Sequence, residues 1–245
     1  MPFRPGEKLT YSAYYNWNFI WLKSGQVSFN FTDSVNNGRH IWKFRAHGYT
    51  FKAYDLFYKV EDSFLSDCEA GSFAPLYFNR EINHGKNHSS HSYTVDAISE
   101  KIFSEIKRRN EPFFRDTIKY RKGIYDLLAA AYYTRTLDYD NYTKGQKIGI
   151  NLLVDNKISR SYFKYLGKEI VETRGIGSFR CHKISIFLLE SDFFPKGEYM
   201  KIWITDDKNR IPVMAETKIF IGSVKAILES YEGLKGEMAS KILTE

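Results

Sequence analysis

Cysteine is scarce in this 245-residue chain, and several absences sort the possibilities before any motif is sought. Two cysteines, Cys68 and Cys181, allow at most one bridge and no CxxC knuckle, which excludes a disulfide scaffold or a cysteine-built zinc module. Far apart in sequence, they read as packed thiols. With 6 Pro and 16 Gly against 43% hydrophobic residues, the chain is neither disordered nor a fibrous repeat. No 18-residue apolar stretch exists to make a spanning helix. The longest uncharged run, Leu9 to Leu22, contains Thr10, Ser12, Asn16 and Asn18 and keeps a strand pattern. The chain opens Met1-Pro2-Phe3-Arg4-Pro5-Gly6 without the basic leader and apolar segment of a signal peptide, leaving a cytosolic protein or a mature exported form as alternatives. P-loop, GxSxG and HExxH signatures are missing, and Gly175-Ile176-Gly177 has neither a third glycine nor a following helix. No sequence signal points to a cofactor.

What the chain has in abundance is two-residue periodicity. Val27, Phe29 and Phe31 alternate with Ser28 and Asn30, and Trp42, Phe44 and Ala46 with Lys43, Arg45 and His47. Comparable runs cover 7–15, 57–66, 75–84, 90–96, 99–108, 112–120, 147–154, 158–172, 177–189, 198–205, 211–221 and 223–232. Turn signals such as Asn36-Asn37-Gly38, Asp155-Asn156-Lys157 and Asp206-Asp207-Lys208-Asn209 separate them in the manner of an antiparallel meander. Ile124, Leu127, Leu128, Ala131 and Tyr132 break the rule, falling at helical spacing after Gly123. The segment 50–56 suits a short helix or a loop equally.

The expected fold is mainly β: a strongly curved antiparallel sheet or partial barrel with one amphipathic covering helix over about 123–137. Accumulated twist and exposed edges both press a sheet of a dozen strands to curl. No linker interrupts the chain, so one domain over 1–245 is expected, its core at about 3–232 and a tail at 233–245 lying peripherally.

Constellations that could carry chemistry are sparse. His84, His88 and His91 sit among Gly85, Asn87, Ser89 and Ser90, which favour a hairpin with splayed side chains over a metal site. Cys181 and His182 are neighbours and therefore face opposite sides of a strand, so the thiol reads as inert. Asp207 is turn chemistry, whereas Asp62 and Asp206 stand at strand ends, where acids usually bond backbone amides. Basic residues thicken between Lys101 and Lys122, but Glu105, Glu111 and Asp116 interleave with them. That disfavours nucleic acid and equally suits attraction to an anionic envelope surface.

Aromatic residues are the strongest signal, with 4 Trp, 18 Tyr and 19 Phe. Tyr11, Tyr14, Tyr15, Trp17, Phe19 and Trp21 place rings on both faces of one strand, and only one face can serve the core. Mutual packing explains the excess, or else a ring-lined concavity holding an apolar or amphipathic ligand; Trp17, Phe19, Trp21, Leu128 and Tyr132 are the candidate ligand contacts.

Ordered landmarks run the length of the chain: Pro5-Gly6-Glu7-Lys8-Leu9-Thr10-Tyr11, Trp21 to Gly25, Val60-Glu61-Asp62-Ser63, Pro75 with Arg80, Asp126-Leu127-Leu128 with Tyr132-Tyr133-Thr134-Arg135, Gly167-Lys168-Glu169, Gly177, Trp203-Ile204-Thr205-Asp206-Asp207 with Arg210-Ile211-Pro212-Val213, and Gly222. This series is similar to the exported bacterial family called domain of unknown function 3108, over about residues 3–232. The resemblance implies a mostly β protein that bears a signal when made and resides in the periplasm or at the outer membrane. It supplies no catalytic residue, because the family's activity is not established. A looser likeness of fold is to periplasmic half-barrel carriers of lipoproteins, whose concave sheet shelters acyl chains.

Charges among apolar strands suggest a partly buried network of Asp62, Arg80, Arg135, Glu169 and Asp206 near one end of the barrel. The leading expectation is a noncatalytic envelope protein binding a lipid or lipoprotein acyl chain, with no cofactor and no metal. The alternatives are an envelope interaction or glycan-binding protein using exposed aromatics and the strip 101–122, and an unrecognised hydrolase in which, for example, Asp62 meets His182 or Asp206.

Overall fold

A computed structural model of the chain describes residues 1–17, 20–54, 59–187, 199–218 and 222–242, the side chains at 17 and 20 excepted. The alternating pattern is realised as strands: β1 (Lys8–Trp17), β2 (Ile20–Asn36), β3 (Arg39–Thr50), β4 (Glu61–Glu69), β5 (Pro75–His84), β6 (Asn87–Asp96), β7 (Lys101–Arg108), β8 (Phe114–Lys119) and β9 (Ile124–Tyr125). After helix α1 (Leu127–Thr134) follow β10 (Lys147–Val154), β11 (Lys157–Thr173), β12 (Gly177–Phe187), β13 (Tyr199–Thr205), β14 (Pro212–Lys218), β15 (Ser223–Glu232) and β16 (Lys241–Ile242). The protein is mainly β, and α1 is the single α-helix among the described residues. No helix there is long and apolar enough to cross a membrane.

Two compact units make up the chain. The first comprises 1–25, 134–150 and 160–245, and the second 26–133 and 151–159. In the second, neighbours pair in the order β8-β7-β6-β5-β4-β3-β2, each a hairpin step from the next. The turns behave as their residues require. Asn37 and Gly38 adopt φ 48° and 75°, and Asp155 and Asn156 adopt 49° and 61°, the left-handed pairs that match the twist of two-residue hairpins. Phe78, Tyr93, Ile102, Tyr120, Ile124 and Leu153 form a buried cluster on one face of these strands.

The first unit runs β1-β15-β14-β13-β12-β11, with β16 on β12. Its turn at 206–210 is held by the carboxylate of Asp207, which accepts from Asn209 N at 2.9 Å and from the Ser240 hydroxyl at 2.6 Å. Asn209, fully buried, donates through Nδ2 to the carbonyls of Gly236 and Glu237. Those bonds tie 236–240 to the turn.

Helix α1 is shorter than the expected 123–137. Gly123 takes φ 80°, Ile124 and Tyr125 pair in parallel with Asn151 and Leu152, and only then does Asp126 cap the helix, its Oδ1 accepting from Leu128 N and Ala129 N at 2.9 Å. Leu128, Ala129, Ala130 and Tyr132 are all buried and Ala131 is exposed, so the helix is enclosed around most of its circumference rather than along one stripe. The segment 50–56 contains a 3-10 turn at Lys52–Tyr54, and its remainder lies outside the described residues.

Candidate functional site

Three groupings bear on function, one in the interior of the second unit, one on its surface and one in the first unit. The interior grouping is aromatic. Tyr132 of α1 stacks on Phe44 of β3 with ring centroids 4.0 Å apart, Phe31 of β2 lies 5.1 Å from Phe44, and Trp42 meets Phe73 edge-on at 5.0 Å. Phe31 and Phe44 are essentially inaccessible, at 1% and 0% exposure. Beneath the helix start, the Ser66 hydroxyl donates to Asp126 Oδ2 at 2.7 Å; burial of that carboxyl outweighs its hydrogen bonds and pushes its pKa up to about 6. Through Tyr132, α1 packs ring against ring on β2 and β3. Of the expected ligand contacts, Tyr132 belongs to this packing, and Leu128 is buried on the same helix. Trp21, in the first unit, is half-buried with the Lys225 ammonium 4.4 Å from its ring. Phe19 and the side chain of Trp17 lie outside the described residues.

The surface grouping is on β7 and β8. Along β7, Ile102, Ser104 and Ile106 are buried while Lys101, Phe103, Glu105 and Lys107 are exposed, the strict alternation of a two-faced strand. Register places Phe103 opposite Thr117 and Glu105 opposite Arg115, with which it pairs at 2.9 Å. Strand β8 ends the strand order and is exposed along nearly its whole length. Phe103 and Phe113 are each 45% exposed, Phe114 48%, and Ile98, in the turn before β7, 93%. Arg115 and Lys107 lie 4.8 and 5.5 Å from the Phe113 ring centroid. Residues 100–122 hold eight Lys and Arg (101, 107, 108, 109, 115, 119, 121, 122) against four acids (100, 105, 111, 116), a surplus of 8 − 4 = 4 positive charges.

In the first unit a polar cluster surrounds a buried imidazole. His182 of β12 has no exposure, its ring stacked on Tyr139 at 5.1 Å and its Nδ1 3.1 Å from the Tyr165 hydroxyl. Its Nε2 lies 2.8 Å from Asp206 Oδ1. Lys168, directly across from His182 in the β11–β12 register, places its ammonium 2.8 Å from Asp206 and 3.0 Å from Asp140, whose other oxygen is held by Arg210 at 3.1 Å. Desolvation lowers the pKa of His182. Burial would raise that of Asp206, but the Lys168 hydrogen bond and His182 outweigh it and hold the carboxyl below its ordinary range. Cys181, on the opposite face, is fully buried and burial pushes its thiol up to about 12. Both cysteines are free.

The five expected network charges are distributed over separate pairs. Asp62 bonds His84 Nε2 at 2.9 Å, and Arg80 bonds Asp155 and, at 3.2 Å, His91 Nδ1. In the first unit, Glu169 bonds the Trp203 indole and the Lys183 ammonium, while Asp206 joins the cluster just described. Arg135 is the most enclosed. Its guanidinium donates to both oxygens of Glu7 at 2.5 and 2.8 Å and to the carbonyls of Asn209 and Arg210 at 2.8 and 3.0 Å, beside the turn that Asp206 begins. The hairpin histidines splay: His84 meets Asp62, His88 meets Asn83, and His91 meets Arg80.

Two comparisons with known proteins bear on this arrangement. The model of the family described as "Protein of unknown function (DUF3108)" matches residues 10–229, nearly the whole chain. The chain belongs to this family. Among solved structures, the DUF3108 chain is similar to a beta-barrel-like protein of domain of unknown function DUF1849 from Brucella abortus, with a TM-score of 0.59 and 7% identity over 95% of this chain and 99% of that one. At that identity the likeness shows the fold alone. No curated protein matches the DUF3108 chain.

Proposed function

We propose that this DUF3108 protein is a noncatalytic, exported protein of the periplasm or outer-membrane region that engages an anionic, amphipathic surface, phospholipid above all, through the outer face of β7 and β8. One observation carries the reading: Phe103 and Phe113, each 45% exposed, stand with Lys107 and Arg115 in the stretch that bears the surplus of positive charge, and Ile98, 93% exposed, leads into it. Exposed rings among cations suit the boundary between headgroups and acyl chains, where each nearby Lys or Arg contributes about 1 kcal/mol on an anionic leaflet. The stacking of Tyr132 on Phe44 favours a surface contact over an acyl chain held between helix and sheet. Exposed aromatics beside the basic strip support the envelope-interaction reading.

Vesicle co-sedimentation tests the reading, with cell fractionation as its companion. Vesicles containing phosphatidylglycerol should bind the chain, phosphatidylcholine vesicles should not, and binding should weaken as rising salt shortens the Debye length. Phe103→Ser with Phe113→Ser, both on exposed positions, should reduce it about tenfold at unchanged stability. No binding to anionic vesicles overturns the proposal, and single-stranded DNA binding in its place would transfer the strip to nucleic acid.

A further inference from the structure

Independently of that surface reading, and in the other unit, we propose that Asp140, His182 and Asp206 form a binding site for a divalent transition ion, zinc in the first instance, with the Lys168 ammonium as its built-in competitor. The three side chains come from different places in the chain, the turn after α1, the middle of β12 and the end of β13, yet their ligand atoms all lie within 4.8 Å of one another.

His182 supplies the observation that a plain ion-pair network leaves unexplained. It is completely buried, and its Nε2 makes no hydrogen bond. Asp206 Oδ1 stands only 2.8 Å away but off the axis along which a ring nitrogen bonds, and Asp140 Oδ1 is 3.9 Å away. The ring is stacked on Tyr139, and its Nε2 points off-axis into the space between two carboxylates. A divalent ion there would take the nitrogen and both carboxylates as ligands.

Geometry is compatible with that role. Around a tetrahedral ion with bonds of about 2.0–2.1 Å, ligand atoms stand about 3.3 Å apart, between the contacts of 2.8 and 3.9 Å made by Nε2. Nδ1–H can donate to the Tyr165 hydroxyl, 3.1 Å away, the outer partner that orients a ligating imidazole and leaves Nε2 its lone pair. Arg210 holds Asp140 Oδ2 and so turns Oδ1 towards the centre. One imidazole with two carboxylates favours a borderline ion over calcium or magnesium, which prefer oxygen throughout. Lys168 now bridges the two carboxylates, but its side chain is 51% exposed and Asp140 is 54% exposed, so the ammonium can swing into solvent as an ion enters.

Zinc titration of the full chain against a fluorescent chelator tests this, with cobalt absorption as the spectroscopic signature of nitrogen and oxygen ligands. One Zn2+ per chain is expected. His182→Gln and Asp206→Asn should each weaken it at least tenfold, and Lys168→Met, which removes the competitor, should tighten it. His88→Gln in the exposed hairpin should change nothing. Asp140→Asn keeps the test decisive should the buried variants fail to fold, since that side chain is exposed and its loss should still weaken binding. Absence of saturable binding in both wild type and Lys168→Met overturns the proposal. So does binding indifferent to Asp140→Asn or His182→Gln in folded protein.

Discussion

Arg135 and Glu7 show what a single buried contact does in this chain. Their side chains are 3% and 0% exposed and meet through two parallel hydrogen bonds, while Arg135 also satisfies two carbonyls of the 206–210 turn and lies 5.1 Å from the Phe3 ring. Removing one member leaves the other charge stranded where water cannot reach it. Arg135→Met should therefore cost roughly 3–5 kcal/mol, read as a fall in the denaturant midpoint. The double variant Glu7→Leu with Arg135→Met, which removes both charges, should recover much of that loss. A single variant within error of wild type would show the pair to be dispensable. The sequence makes Arg135 conspicuous as a charge following a run of apolar residues, but not its partner, 128 positions earlier in a Pro-Gly-Glu-Lys opening that reads as a loop. The same limit hid the Asp140 contribution to the polar cluster. Nothing local marks Asp140, and only the 3-10 turn at Tyr139–Asn141 brings it to His182.

Between one element and the next, close backbone approaches set the tolerances. Gly233 follows β15 at φ 66°, and a Cβ there would stand 2.2 Å from Gly6 O, in the loop that delivers Glu7 to Arg135. Arg4 Nε also donates to Gly233 O at 3.2 Å, locking the same crossing. Gly233→Ala should therefore destabilise by at least about 2 kcal/mol, from left-handed strain plus displacement of the 4–7 loop, seen as a lower melting temperature; Gly149→Ala, which meets nothing within 4 Å and has no left-handed φ, is the neutral control. Elements themselves were largely legible. The runs 75–84, 147–154 and 223–232 coincide with β5, β10 and β15, because turn residues bound them on both sides. The helix was legible in kind but not extent: the spacing of Ile124 fits a helix, and pairing with Asn151 makes it a strand instead. Its all-round burial was equally hidden, since apolar spacing alone does not report how many neighbours close around a helix.

For the chain as a whole, the alternating faces announced mainly β architecture, whereas the division into two units followed from strand partners that no local pattern encodes. Stability against pH is the whole-molecule property in which two buried groups of the second unit oppose one another. Desolvation raises Asp126 to about 6, so its protonated form favours the folded state; that contribution is complete below the unfolded value of 3.8 and is lost as pH rises through about 6. Burial, with Arg80 beside it, lowers His91 to about 4 from 6.5, so its contribution is complete above 6.5 and is lost as pH falls through about 4. Each amounts to roughly 3 kcal/mol, with opposite sign across the same interval. Wild-type stability should accordingly change little between pH 4 and 6.5 from these two groups, and the cancellation should fail when one is removed. Asp126→Asn keeps a cap acceptor for α1 and a partner for Ser66, yet carries no titratable proton. Measured as the difference from wild type at each pH, so that all shared carboxylates cancel, its unfolding free energy should rise by roughly 3 kcal/mol from pH 4 to 7. A difference that stays level across that range would mean that the Asp126 carboxyl is stabilised as an anion by the helix it caps, and that burial does not control its proton.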